Sequence, residues 1–290
     1  MTSTLIPPAT AQERPGRARL RGSLSPSRAA DFLTCPLLYR LRAIDRVPEP
    51  VSAAAARGTV VHAVLERLFD LPAAERTPDS AAALLPLAWD GLRAREPELD
   101  ALFDSAQELE RWLASARALL QRYFGLEDPQ RLEPAERELL VETTLDSGLV
   151  LRGYLDRLDV APSGAMRVVD YKTGRAPGPG FEAPALFQLR FYALVLWRLR
   201  GEVPRRLQLM YLGSGEVLRH EPDDADLRAT ERKVLALWDA IRLATQTGDF
   251  RPSPSRRCGF CAHQALCPAR GGTPPPFPGL AGEATATPAP

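Results

Sequence analysis

The amino-acid sequence predicts an α/β protein in which a helical segment precedes a central sheet. In the first half of the chain, apolar residues recur at helical spacing. After Pro134 the pattern changes to short β-rich runs bounded by turn residues, and a further helix, a strand and a long helix follow. The order of helices, three strands, helix and strand is typical of a mixed sheet flanked by helices.

Capping residues and periodicity predict the helices of the first half. Ser25 begins the first helix, because serine caps a helix start and Pro26 is tolerated in the first turn. A second helix spans residue 53 to about residue 71, with valines and leucines on one face. Two further helices fit residues 79–95 and 105–124.

Turn residues divide the second half into strands and helices. Gly148 and the Pro-Ser-Gly stretch at 162–164 separate three β-rich runs, which predicts a meander. The predicted strands are 139–145, 149–160, 167–171, 206–212 and 217–220, and the predicted helices are 185–199 and 224–247.

We expect a single domain over residues 23–270, because 290 residues with 45% hydrophobic content can bury one large core. Within it we expect a helical insertion at about 72–130, a β-rich core that carries the candidate site at about 135–222 and a cysteine loop at 258–267. Residues 1–22, a basic arm, and the Pro/Ala-rich residues 271–290 lack periodicity and are predicted to be disordered. Since no apolar run suits a membrane span or secretion, we expect a cytoplasmic protein.

Two aspartates and a lysine form the first candidate site. Only two of the 37 basic residues are lysine, so Lys172 in Asp170-Tyr171-Lys172 stands out. Side chains alternate along a strand, so Asp170 and Lys172 share a face. If Asp156 ends the neighbouring strand, two carboxylates meet there and suit Mg²⁺ or Mn²⁺. A salt bridge on a surface strand is the alternative interpretation.

Two helical pairs support this site. His62 and Glu66 lie four residues apart on the second predicted helix, and Gln188 and Tyr192 lie four apart on a later one. Each pair can present both side chains to one site. Taken alone, His62 is more typical of a core histidine, and Gln188 and Tyr192 of the border of an apolar helix face.

In order and content, these motifs resemble the RecB-type nucleases of the PD-(D/E)xK superfamily. The matching motifs are Gly58-x-x-x-His62-x-x-Leu65-Glu66, Gly153-x-x-Asp156-Arg157-x-Asp159, Asp170-Tyr171-Lys172-Thr173-Gly174 and Gln188-x-x-x-Tyr192. The resemblance implies a restriction-endonuclease-like core. It also implies that His62, Asp156, Asp170 and the backbone carbonyl of Tyr171 bind a divalent metal. Asp156, Asp170 and Lys172 would be catalytic, and Gln188 and Tyr192 would support the site or contact DNA.

The four cysteines indicate a second metal site, since cytoplasmic chains seldom keep structural disulfides. Cys258, Cys261 and Cys267 are close in sequence, whereas Cys35 lies near the other end of the chain. Four thiolates can hold zinc or a [4Fe–4S] cluster, and their spacing does not distinguish the two. The same arrangement in AddB-type and CRISPR-associated relatives favours the iron–sulfur cluster. Such a cluster would join the N- and C-terminal segments.

The sequence therefore predicts a Mg²⁺- or Mn²⁺-dependent DNA exonuclease acting on single strands or free ends in recombination or repair. Basic stretches at 14–46 and 251–270 are candidate contacts to the DNA backbone. No GxxxxGK[ST] motif occurs, so unwinding would need a partner helicase. The alternative is a non-catalytic iron–sulfur module that positions DNA for a partner's active site.

Overall fold

The structure is a computed structural model of the chain, and it describes residues 22–178, 180 and 182–279. Within these residues a six-stranded sheet has helices packed on both faces. The strands are β1 (Ser23–Leu24), β2 (Glu136–Thr144), β3 (Val150–Val160), β4 (Met166–Lys172), β5 (Arg206–Tyr211) and β6 (Glu216–His220). The α-helices are α1 (Pro26–Thr34), α2 (Pro36–Tyr39), α3 (Ala53–Leu68), α4 (Pro78–Arg93), α5 (Ala106–Leu126), α6 (Ala183–Arg200) and α7 (Asp224–Thr247).

The sheet is mixed, as predicted. Strands β2, β3 and β4 form an antiparallel meander. Helix α6 then carries the chain across the sheet, so β5 pairs with β4 in parallel, and β6 pairs with β5 in antiparallel fashion. The α/β fold with a central mixed sheet flanked by helices is therefore confirmed.

One edge of β3 has two partners with a gap between them. The parallel strand β1 pairs with Val150 and Leu151, and β4 pairs with residues 157–160. Residues 152–156 lie between these two ladders and have no strand partner on that edge within the described chain. The prediction that Asp156 ends its strand was wrong, because Asp156 lies inside β3, directly before the residues that pair with β4.

The sheet separates two hydrophobic cores. One core packs α1, α6 and α7 on the first face, and the other packs α3, α4 and α5 on the second face. Along β4, Val168 belongs to the first core, whereas Val169 and Tyr171 belong to the second. Alternation therefore places Asp170 and Lys172 on the face covered by α6.

The end of the described chain differs from the prediction of a disordered tail beginning at residue 271. Phe277 packs beside Phe250, with 5.5 Å between ring centroids, and the Arg40 guanidinium lies over the Phe277 ring. Phe277 is partly buried and packs against the first core. Residues 1–21 and 280–290, also predicted to be disordered, lie outside the described residues.

Helices α4 and α5 fall inside the predicted insertion, and both begin at side-chain caps, Thr77 and Ser105. Strand β1 and the π-helical turn Arg40–Ile44 were not predicted, since both are short and depend on distant partners. Among the described residues, no helix combines the length and apolar character needed to cross a membrane.

Candidate active site

A closed set of polar contacts fixes the lysine at the end of β4. Lys172 Nζ lies 2.6 Å from Asp170 Oδ2 and donates to Gln188 Oε1 at 3.0 Å. Gln188 Nε2 in turn donates to Asp170 Oδ1 at 3.1 Å. Helix α6 lies over this face of the sheet, so its Gln188 reaches both side chains. The ammonium is thereby held in one position beside a buried carboxylate.

Asp156 lies opposite Asp170, at the point where β3 and β4 separate. The last ladder pair is Arg157 with Val169, so the next residues on each strand no longer exchange backbone hydrogen bonds. The Asp156 carboxylate takes over as acceptor, and the Tyr171 N–H donates to its Oδ2 at 2.6 Å. A side chain therefore supplies the acceptor for a buried backbone donor.

His62 on α3 reaches the same carboxylate from another direction, with its Nδ1 3.5 Å from Asp156 Oδ2. Burial of the imidazole opposes protonation. The hydrogen bond and charge of Asp156, with the charges of Asp170 and Glu138, outweigh that effect and raise the pKa of His62. The negative potential that holds a proton on His62 also favours a cation.

Glu138 joins this cluster, although the sequence analysis did not identify it. One ligand atom from each of His62, Glu138 and Asp156 can be chosen so that all three lie within 4.8 Å of one another. Burial, followed by the charge of Asp156, raises the pKa of Glu138 to about 7. The β2–β3 register is the signal that identifies Glu138. It places Glu138 opposite Asp156, between the ladder pairs Arg137–Arg157 and Leu139–Leu155.

An unusual backbone conformation turns Glu138 toward the site. Its φ is 44°, in the left-handed region that non-glycine residues rarely adopt. The preceding Arg137 bonds the Glu66 carbonyl of α3 on one face of the sheet and lies 2.8 Å from Asp70, just after that helix. Two residues later, Leu139 packs on the core of the opposite face. The alternation of β2 is thus interrupted at Glu138.

The cluster fits a hard divalent cation. A histidine nitrogen and two carboxylates from three elements offer the donors that Mg²⁺ or Mn²⁺ accepts. Asp170 adds a buried carboxylate whose pKa is raised to about 6, first by burial and then by the charge of Asp156. Lys172 Nζ, 2.6 Å from Asp170 Oδ2, offsets one negative charge, but Asp156 and Glu138 lie beside the same site. A nearby cation would compensate this excess of buried negative charge.

Gly153 and Tyr192 explain two further motif positions. A Cβ added at Gly153 would lie 2.7 Å from Cε1 of Tyr192 and 3.3 Å from Cδ of Pro26. The motif therefore needs glycine so that α6 and α1 can pack close to β3. Tyr192 is buried, and burial followed by the charge of Asp170 raises its pKa.

Two other motif residues serve the opposite face. The side chain of Tyr171 points into the second core, where its hydroxyl accepts a hydrogen bond from Arg157 at 2.7 Å. Arg157 also bonds Glu127 and lies 3.1 Å from Asp159. Asp159 is therefore part of a buried ion-pair network. The predicted role of the Tyr171 carbonyl as a metal ligand stays a prediction.

The four cysteines come together although Cys35 is distant in sequence. All four line one cavity of about 570 Å³ between α1, α2 and the C-terminal loop. They form no disulfide. Backbone N–H groups of Ser253 and Ser255 donate to the sulfurs of Cys35 and Cys258, at 3.3 and 3.2 Å.

A contact between His263 and Glu49 attaches this loop to the N-terminal segment, which has ion pairs of its own. Arg42 bonds both Asp31 and Glu49, and His263 Nε2 lies 2.8 Å from Glu49 Oε1. Arg40 is buried beside Asp45. Two arginines of the basic stretch 14–46 thus take part in internal contacts.

The structure thus brings together the side chains of His62, Asp156, Asp170, Lys172 and Gln188, all predicted from sequence, and adds Glu138. Tyr192 lies behind Gly153 at the border of this group. The assigned roles stay predictions.

Two phage proteins are similar to this chain along most of its length. The chain is 27% identical to the Gene 69 protein of Mycobacterium phage D29 over 271 residues, covering 84% of this chain and 96% of that protein. It is 26% identical to the Gene 69 protein of Mycobacterium phage L5, covering 84% and 95%.

A crystal structure of a candidate exonuclease from Eubacterium rectale superposes with a TM-score of 0.55 at 15% identity, covering 84% of this chain and 88% of that one. This likeness shows a shared fold. The family model described as the PD-(D/E)XK nuclease superfamily matches residues 23–268. Since this match spans both cores, the active-site cluster and the cysteines, the chain belongs to the PD-(D/E)XK nuclease superfamily.

Proposed function

We propose that this protein is a divalent-metal-dependent DNA exonuclease that acts in recombination or repair. The convergence of His62, Glu138 and Asp156 beside the pair of Asp170 and Lys172 is the observation that carries the proposal. Membership of the superfamily implies DNA as substrate and a divalent metal as cofactor.

We assign different roles in hydrolysis to the metal-binding side chains and to Lys172. His62, Glu138, Asp156 and Asp170 would hold the Mg²⁺ or Mn²⁺, together with the Tyr171 carbonyl. When bound, such a cation neutralises charge on the scissile phosphate and lowers the pKa of a bound water. Lys172 Nζ, fixed by Asp170 and Gln188, orients the attacking water by donating a hydrogen bond to its oxygen.

The two lysines of the chain allow a matched test. Lys172→Arg keeps the positive charge but replaces a compact ammonium with a larger planar group, and we expect cleavage to fall by about 100-fold or more. Lys233→Arg makes the same change on α7, over the Phe187 ring, and should keep nearly full activity. Equal activity of the two variants would contradict the role of Lys172.

A comparison of linear and circular DNA substrates tests the exonuclease assignment. End-labelled linear single and double strands and covalently closed circles should be incubated with Mg²⁺, with Mn²⁺ and with a chelator. We expect metal-dependent release of short products from linear DNA and intact circles. Cleaved circles would indicate an endonuclease, and DNA binding without cleavage would favour the non-catalytic alternative.

We further propose that Cys35, Cys258, Cys261 and Cys267 hold a [4Fe–4S] cluster. Tetrahedral zinc, with Zn–S bonds of about 2.3 Å, places its sulfurs roughly 4 Å apart. In the described chain, no three cysteine sulfurs lie within 4.8 Å of one another, whereas all four cysteines line a wide cavity. The backbone N–H groups that donate to the sulfurs of Cys35 and Cys258 would stabilise their thiolates, the form that binds iron.

Iron and acid-labile sulfide analysis of anaerobically purified protein tests the cluster. We expect up to four irons and four sulfides per chain when the cluster is complete. The Cys261→Ser variant should lose the brown absorbance. Stoichiometric zinc without iron would overturn the cluster assignment and leave the nuclease proposal standing. We also propose a partner helicase, because the sequence has no GxxxxGK[ST] motif to drive unwinding. A cytoplasmic location is part of the same proposal.

A further inference from the structure

A groove begins beside the active site and follows the edge of β3 that lacks a strand partner. Its volume is about 420 Å³, and Gln188 and Tyr192 line its end nearest the site. The start of α1 and the N-terminal part of α6 border the groove, and Arg152, Gly153 and Tyr154 of β3 form its base. The gap between the β1 and β4 ladders is what opens this space.

The charge of the groove suits a polyanion. Arg28 and Arg152 line it, and no aspartate or glutamate does. Among the residues that the structure describes, neither arginine has an ion-pair partner within 4.0 Å. Most other arginines around the site are paired, as Arg157 and Arg167 are with Asp159. Two guanidinium groups therefore remain available to phosphate.

An aromatic side chain is exposed in the same groove. Tyr154 is 58% exposed and contacts no other aromatic ring of the described chain. In the β2–β3 ladder its partner is Leu140, which is 50% exposed, so the two form an apolar ledge. Adjacent exposed apolar side chains beside a polar site indicate a binding surface. The Tyr154 ring can stack on a base.

We propose that this groove binds single-stranded DNA next to the scissile phosphate, with Tyr154 stacked on a base and Arg28 and Arg152 on phosphates. The inference rests on the proposed nuclease function. Tyr154 precedes Asp156 by two residues, which places their Cα atoms about 7 Å apart, a distance that one extended nucleotide covers. Bases inside a duplex are stacked on both faces, so an unpaired strand offers Tyr154 faces that a duplex withholds except at its ends.

Binding without cleavage tests the inference. Fluorescence anisotropy with a labelled single strand and with a blunt duplex should be measured in the Lys172→Ala background with Ca²⁺. We expect Tyr154→Ala to weaken single-strand binding by about fivefold or more, while Tyr154→Phe binds normally, because phenylalanine keeps the ring. Leu87→Ala, an exposed apolar residue on α4, is the matched control and should change nothing.

The arginines are tested by salt dependence. The double variant Arg28→Ala/Arg152→Ala should weaken single-strand binding and reduce the slope of log K against log salt by about 0.7 for each lost phosphate contact. Arg131→Ala is the control, because Arg131 lies on the 3₁₀ turn Pro129–Arg131, does not line the groove and has a side chain that is 86% exposed.

The outcomes separate this inference from the proposed function. If Tyr154→Ala binds single strands as tightly as its parent, or weakens duplex binding equally, the groove does not select single strands, whatever the cleavage assays show. If the groove variants behave as expected but the wild-type protein does not cleave DNA, the nuclease proposal fails and the groove assignment stands.

Discussion

The Tyr171 N–H donates to the Asp156 carboxylate at 2.6 Å, and this bond lies where β3 and β4 stop pairing. It ties the position of a candidate metal ligand to the integrity of the sheet. The separation of the strands also leaves the β3 edge open beside the site. A single residue therefore links backbone pairing, cation binding and access for the substrate.

Two substitutions of Asp156 separate its structural and electrostatic roles. Asp156→Asn keeps an oxygen acceptor for the Tyr171 N–H but loses the charge, so Mn²⁺ affinity should fall with little change in stability. Asp156→Ala loses both and should destabilise the fold by a further ~1–2 kcal/mol, since a buried donor is left without an acceptor. Calorimetric Mn²⁺ titration and denaturant unfolding measure the two effects. Equal stability of both variants would show that the hydrogen bond contributes little.

The raised pKa of Glu138 predicts a pH dependence of stability in the metal-free protein. Its folded pKa of about 7 exceeds the ordinary 4.5, so the folded state binds more protons in this interval. The free energy of unfolding should therefore fall as pH rises from about 5 to 7. Glu138→Gln, which carries no charge, should flatten this dependence, and Mn²⁺ affinity of the wild type should rise with pH. A wild-type profile unchanged by the substitution would contradict this assignment.

Gly153 should tolerate no side chain. A Cβ there would lie 2.7 Å from the buried Tyr192 ring, so Gly153→Ala should lower stability by ~1–3 kcal/mol and impair cleavage. Gly91→Ala is the matched control on α4, where a Cβ meets nothing within 4 Å. Because alanine favours helix, that variant should be stabilised by up to about 1 kcal/mol. Thermal unfolding of both variants gives the comparison.

The buried Arg157 should make Glu127 important for folding. The Arg157 guanidinium donates to the Glu127 carboxylate at 3.0 Å. Without Glu127, the buried positive charge of Arg157 would have Asp159 as its one carboxylate partner among the described residues. Glu127→Ala should cost about 3–5 kcal/mol. Glu133→Ala removes the exposed partner of Arg76 and should cost under about 1 kcal/mol, because backbone carbonyls also accept from Arg76. Similar losses in urea unfolding would show that burial does not distinguish the pairs.

The sequence by itself determined the elements and the local geometry of the site. Strand periodicity places Asp170 and Lys172 on one face, and a four-residue helical spacing places Gln188 and Tyr192 together, because these periods are properties of the backbone. The Ser25 cap located the start of α1 in the same way.

Only the tertiary structure decided which elements meet. The left-handed φ of Glu138 has no sequence signal, since glutamate rarely adopts it and surrounding contacts must impose it. The end of the β3–β4 ladder, the gap beside Tyr154 and the packing of Phe277 likewise depend on residues far apart in the chain. Local propensity acts over a few residues, whereas strand pairing and burial depend on the whole fold. Glu138 was therefore found beside His62, Asp156 and Asp170 only in the tertiary structure.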